Sequence, residues 1–170
     1  MHEDGEKIFF LIKSRADEYC FTNKALIHVD GTSAVSKKRT LRRLDYHLNT
    51  IHDVTLETAG TLDRDVEIKF SMGGNYYSID VSKNNMEELK DLYKALIKIG
   101  AVQVEYEHMY QYAANGLGTA AAAVNRSTNT DTLEAQFKAI TLYAFNWMKN
   151  ARESYVPKDF TWVFELFIKN

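Results

Sequence analysis

Two hydrophobic rhythms divide this 170-residue chain near residue 84. Before that point, short apolar runs rich in β-branched and aromatic residues alternate with turn residues, the grammar of β-strands. The runs predict six or seven strands, over residues 7–15, 19–29, 37–44, 51–58, 65–72 and 76–81. In 51–58 and 65–72 the apolar positions Val54, Leu56, Val66, Ile68 and Phe70 alternate with polar ones, as expected of antiparallel strands with one buried face. Asp30-Gly31, Ala59-Gly60 and Gly73-Gly74-Asn75 punctuate the runs, with glycine allowing the positive φ of tight turns.

From Asn85 the period lengthens. Asn85 and Glu88 have the spacing of a capping box, and Met86, Leu89, Leu92, Tyr93, Leu96 and Ile97 fall on one helical stripe, with Gly100 placed to end it. Strands followed by one amphipathic helix predict a small antiparallel barrel or sandwich with the helix plugging one end. Farther on, Leu133, Phe137, Ile140, Ala144 and Trp147 recur at alternating spacings of four and three, predicting a helix from Asp131, with Glu134 as capping partner. Val102, Tyr106, Met109, Tyr110 and Ala113 make a matching stripe upstream, although Val102, Val104 and Tyr106 also alternate as in a strand; helix is the preferred reading. Asn115-Gly116-Leu117-Gly118 and an alanine run lead into a polar loop at 125–130. After Pro157, residues 160–168 are large and apolar except for Thr161 and Glu165, and such a tail must be buried somewhere.

Composition narrows the class. With 45% hydrophobic residues the chain can build a core, and a net charge of −2 gives no global attraction to nucleic acid or anionic lipid. A single cysteine, Cys20, excludes an internal disulfide and a thiolate metal site, and implies a reducing, cytoplasmic setting. The N-terminus lacks the features of a signal peptide, and no apolar run approaches the ~20 residues that span a bilayer.

Two stretches go beyond this grammar. Tyr19-Cys20-Phe21-Thr22-Asn23-Lys24-Ala25-Leu26 runs on to Asp30-Gly31, and Glu57-Thr58-Ala59-Gly60 is followed by Asp63 and Asp65. In this order they resemble the bacterial pleckstrin-homology family, over residues 6 to about 100. Ala25 and Asp45 depart from that family's usual arginine and proline, which bears on any shared surface contact rather than on the fold. The resemblance implies two nearly orthogonal antiparallel sheets with a C-terminal helix over one open corner, a pleckstrin-homology-like domain at 1–100. Residues 101–170 resemble the helical-hairpin extension of YvbH-like proteins, which implies oligomerisation. The resemblance gives Phe21, Thr22, Asn23, Lys24, Asp30, Gly31, Glu57, Thr58, Ala59, Gly60, Asp63 and Asp65 a structural role.

Among candidate sites, Lys37, Lys38, Arg39, Arg42 and Arg43 concentrate cations enough to attract an anion or a partner. Strand alternation would divide them between two faces. The five histidines, His2, His28, His47, His52 and His108, lack metal-ligand spacing, and no metal or cofactor is expected. Glu57, Asp63, Asp65 and Glu67 could offer acid and base groups but fall within the fold motif, and no nucleophile sits in an elbow or triad setting. Gly116-Leu117-Gly118 matches letters of a dinucleotide fingerprint without the required preceding strand. Phe137, Ile140, Trp147, Phe160, Trp162, Phe164 and Phe167 form the candidate oligomer interface. The expectation is a non-enzymatic homo-oligomeric scaffold that binds a protein or peptide and no nucleic acid, with a peripheral adaptor at an anionic membrane surface as the alternative.

Overall fold

The computed structural model describes residues 3–14, 17–31, 39–58, 65–124 and 132–168. Seven strands come first: β1 (Ile8–Lys13), β2 (Glu18–Thr22), β3 (Ala25–Gly31), β4 (Arg39–Asp45), β5 (Ile51–Glu57), β6 (Asp65–Met72) and β7 (Asn75–Ser82). Three helices follow: α1 (Met86–Val124), α2 (Leu133–Tyr155) and α3 (Thr161–Ile168). Hydrogen bonding runs through two antiparallel sheets, β1-β2-β3-β4 and β5-β6-β7, which do not close on each other. Gly73 and Gly74, at φ of 58° and 74°, make the two-residue turn between β6 and β7.

The chain divides into two compact units, Met1–Gln103 with Lys158–Asn170, and Val104–Pro157. The core of the first unit gathers Phe21, Leu26, Ile68, Phe70, Leu92, Leu96 and Ile99, all fully buried. Their positions follow the two periods in the sequence, every second residue in β6 and every third or fourth in α1. Phe160, Val163 and Phe164 are also fully buried. Residues 158–168 therefore group with the head, and of the extension expected over 101–170 only 104–157 stand as a separate unit.

Four local expectations change. Residues 19–29 form two strands rather than one, because the Thr22 side chain closes a turn through bonds from the Lys24 and Ala25 amides. Asp30 and Gly31 are paired strand residues, opposite Thr40 and Arg39, not a turn. Ser82 caps a short 3-10 turn over Lys83–Asn85 ahead of α1, in place of the capping box at Asn85. Gly100 lies inside α1 instead of ending it. A methyl group there would collide with the Ile51 carbonyl oxygen, so the glycine lets the helix approach β5. The stretch from Val102 to Ala113 is helical, as preferred, and α1 continues through Gly116, Gly118 and the alanine run to Val124. Thr132 caps α2, its hydroxyl accepting from the Ala135 amide at 3.3 Å, one residue later than the expected start at Asp131, which lies outside the described residues. The polar stretch 125–130 and Ala59, Gly60 and Asp63 also lie outside them.

Candidate self-association surface

The second unit pairs the C-terminal half of α1 with α2. Tyr106 meets Tyr155 with ring centroids 6.3 Å apart, and the Trp147 indole N–H donates to the Ala113 carbonyl oxygen at 2.9 Å. From Tyr106 to Ala113 along α1 the partner steps back from Tyr155 to Trp147 along α2, the geometry of an antiparallel hairpin. Trp147 and Ile140 belong to the stripe read from the sequence, and both remain more than a third exposed. Among the described residues of this unit, Ala151 is the one buried apolar side chain.

A second face of α2 was missed. At ~100° per residue, Leu142 lies about half a turn from Ile140, and Phe145 and Thr141 lead from it round to Phe137, which borders the first stripe. Phe137, Leu142 and Phe145 are 70%, 63% and 66% exposed, and with Thr141 and Lys138 they line a shallow hollow. The missed signal was present: positions 137, 141, 142 and 145 repeat at i, i+4, i+5 and i+8, a face interleaved with the 133/137/140/144/147 stripe. A helix apolar on two faces needs a neighbour on each, and the hairpin contacts seen at Trp147 and Tyr155 serve one.

The terminal aromatic residues separate by position. Phe164 stacks on Phe9 at 4.7 Å and lies 6.4 Å from Tyr46, while Phe160 meets the Tyr46 ring edge-on at 5.7 Å. Phe160 and Phe164 are thus covered by their own chain and drop out of the candidate oligomer interface. Trp162 remains 48% exposed, with the Lys98 ammonium 5.9 Å from its ring, and Phe167 is half-buried.

Two of the described cations of the basic segment are paired with carboxylates. Arg43 donates to both Glu6 oxygens at 3.0 Å and to Asp45 at 2.8 Å, and Arg42 lies 3.6 Å from Asp30. Arg39 is exposed at the start of β4, and Lys37 and Lys38 lie outside the described residues. Burial pushes the Glu6 carboxyl up, but hydrogen bonds from Arg43, the Glu3 amide and Thr22 outweigh it and hold the pKa at about 2.

The Thr22-Asn23-Lys24 turn ties the head together. The Thr22 hydroxyl donates to Glu6 at 2.7 Å, and Asn23 accepts from the Lys7 amide at 2.7 Å and donates to the Gly5 carbonyl and to Asp159. Lys24 donates to the Asp4 carbonyl at 2.7 Å. Phe21 is fully buried. In the other sheet Glu57 and Glu67 sit opposite each other, and Lys69 bridges them at 2.8 and 2.9 Å. Thr58 follows the end of β5, and Asp65 opens β6 opposite Ser82. No three histidine, cysteine or acidic side chains gather as a metal site among the described residues, and no described helix is long and apolar enough to cross a membrane.

Comparison with known proteins places this geometry. The family model of the bacterial PH domain matches residues 1–100, and that of the YvbH-like oligomerisation region matches 111–170. The uncharacterised protein YvbH of Bacillus subtilis (strain 168) is 50% identical over 171 residues, covering 100% of this chain and 84% of its own length. The uncharacterised protein YozO of the same strain is 30% identical over 95 residues, 56% of this chain and 79% of its own. The crystal structure of a PH-domain-containing protein from Exiguobacterium sibiricum 255-15 superposes with a TM-score of 0.90 at 44% identity, covering 99% of this chain and 90% of that one.

Proposed function

Because the chain belongs to the bacterial PH domain family and ends in a match to the YvbH-like oligomerisation region, we propose that it is a non-catalytic scaffold: its second unit self-associates, and its PH-like heads bind a protein or peptide partner. The observation that carries this reading is the exposed second face of α2, Phe137, Leu142 and Phe145. Burying a large apolar side chain is worth about 1.5–3 kcal/mol, so three of them repeated from each copy give a contact able to offset the cost of association. Several heads on one base would bind a repeated or clustered partner with avidity.

Light scattering coupled to size-exclusion chromatography tests the reading on the full chain. The wild-type mass is expected at a multiple of 19.5 kDa, and Leu142→Glu with Phe145→Glu is expected to shift it to the single-chain value while the circular dichroism of the fold persists. A wild-type chain that stays monomeric across micromolar concentrations would sink the scaffold. The full chain is needed because Phe160 and Phe164 complete the head core, so a truncation near Gly100 would leave that core open.

A further inference from the structure

A second surface lies in the head. β1 is the outer strand of one sheet and β7 the outer strand of the other. Between them, with the first turns of α1 closing one side, runs a groove of about 420 Å³ lined by residues 9–13, 80–82, 85, 88, 89 and 92. Five consecutive residues of β1 line it, roughly 13 Å at the strand rise, space for four or five residues of extended peptide.

Three features point to what fits there. First, β1 pairs with β2 alone, so its far edge presents backbone donors and acceptors without a strand partner. Second, beyond the shift in register between Ile8 and Phe10 that edge is apolar up to Lys13. Residues 9–12 are Phe, Phe, Leu and Ile, Leu11 is half-exposed, and the charge of Lys13 is matched by Glu18 at 3.3 Å. Third, Asp80 and Glu88 are exposed in the groove wall, and their carboxylates have no hydrogen-bond or ion-pair partner among the described residues. The apolar floor, between Leu11 and the buried Leu89 and Leu92, suits aliphatic side chains, while the two carboxylates suit cationic ones.

We propose that this groove takes an extended segment of a partner protein with alternating aliphatic and basic residues, adding as a strand to the free edge of β1. This deepens the partner-binding part of the scaffold reading and rests on it. Backbone pairing with β1 supplies affinity, and the alternation of side chains supplies selection.

The test uses the isotope-labelled full chain and the acetylated, amidated peptide Val-Lys-Val-Lys-Val-Lys as probe. Amide shifts on titration are expected to cluster at residues 9–13, 80–82 and 85–92, with slowed hydrogen exchange along β1. Asp80→Asn with Glu88→Gln is expected to weaken binding about three- to tenfold, the loss of two exposed charge contacts. A peptide with glutamate in place of lysine, or with alternate amides N-methylated, is expected not to bind. Shifts centred elsewhere, no binding at about 5 mM probe, equal binding by the N-methylated peptide, or an unchanged double variant would each overturn the proposal. The scattering mass of the full chain does not depend on Asp80 or Glu88, so failure in the groove leaves self-association standing, and a monomeric chain leaves the groove intact.

Discussion

The side-chain amide of Asn23 donates to Asp159 at 2.8 Å, joining positions 136 residues apart. The Asn23 backbone carbonyl accepts from the Phe160 amide at 2.8 Å, so the turn between β2 and β3 anchors the segment that leads into α3. Asn23 is almost fully buried, and its side chain also holds the Lys7 amide and the Gly5 carbonyl. Asn23→Ala would leave several of these groups without partners, at about 1–3 kcal/mol for an unsatisfied buried group. Urea denaturation should place the loss in that range, and limited proteolysis should show earlier cleavage near residue 158. A stability equal to wild type would show that the turn does not hold the terminal segment.

The two aromatic fates in α3 predict opposite sensitivities. Phe164 is fully buried against Phe9 and Tyr46, so Phe164→Ala should cost about 3–5 kcal/mol. Trp162 is half-exposed, and Trp162→Ala should cost about 1 kcal/mol or less, the scale of its cation–π contact with Lys98 and partial burial. Thermal melts of both variants decide the matter. Equal losses would place Trp162 inside a contact that one chain does not show.

Much of the head could be read from residues alone, since alternation in β6 and the helical stripe named Val66, Ile68, Phe70, Leu89, Leu92 and Leu96, which meet in the core, although Ile97 of that stripe is exposed and the buried Ile99 was not on it. The glycine pair at 73–74 marked a hairpin by its own chemistry. Long-range packing was illegible. The tail at 160–168 advertised only that it needed cover, and nothing local distinguishes Phe164, which finds Phe9, from Trp162, which stays at the surface. The candidate surface on α2 was half legible for a related reason: the eye follows one stripe, and Leu142 and Phe145 belong to a second that overlaps it at Phe137.

Gly100 offers a test in which two effects oppose. In an exposed helix interior Gly→Ala stabilises by about 1 kcal/mol. At residue 100 the added methyl meets the Ile51 carbonyl oxygen, so α1 must shift away from β5 and disturb the bonds from Gln103 to the Tyr46 and Asn49 carbonyls. Packing should win, with Gly100→Ala destabilising by about 1–3 kcal/mol in chemical denaturation. A stabilised variant would mean that the helix is free to move off the sheet.

The Glu6 cluster sets an acid limit on the head. Its carboxyl titrates at about 2 in the folded chain against 4.5 as the ordinary value, because bonds from Arg43, the Glu3 amide and Thr22 favour the charged form over the cost of burial. Asp159 shifts the same way: burial raises its pKa, but bonds from Thr161 and Asn23 outweigh that and lower it. A depressed folded pKa means that the unfolded chain binds the proton first. The contribution is therefore complete above about pH 4.5 and is lost as pH falls towards about 2. Urea midpoints measured at pH 7 and pH 3 should show a fall for wild type. Glu6→Gln should be less stable at pH 7, by on the order of 2 kcal/mol, and lose less on going to pH 3. If both proteins lose the same stability between those values, the acid sensitivity lies in other carboxylates and the Glu6–Arg43 pair does not set it.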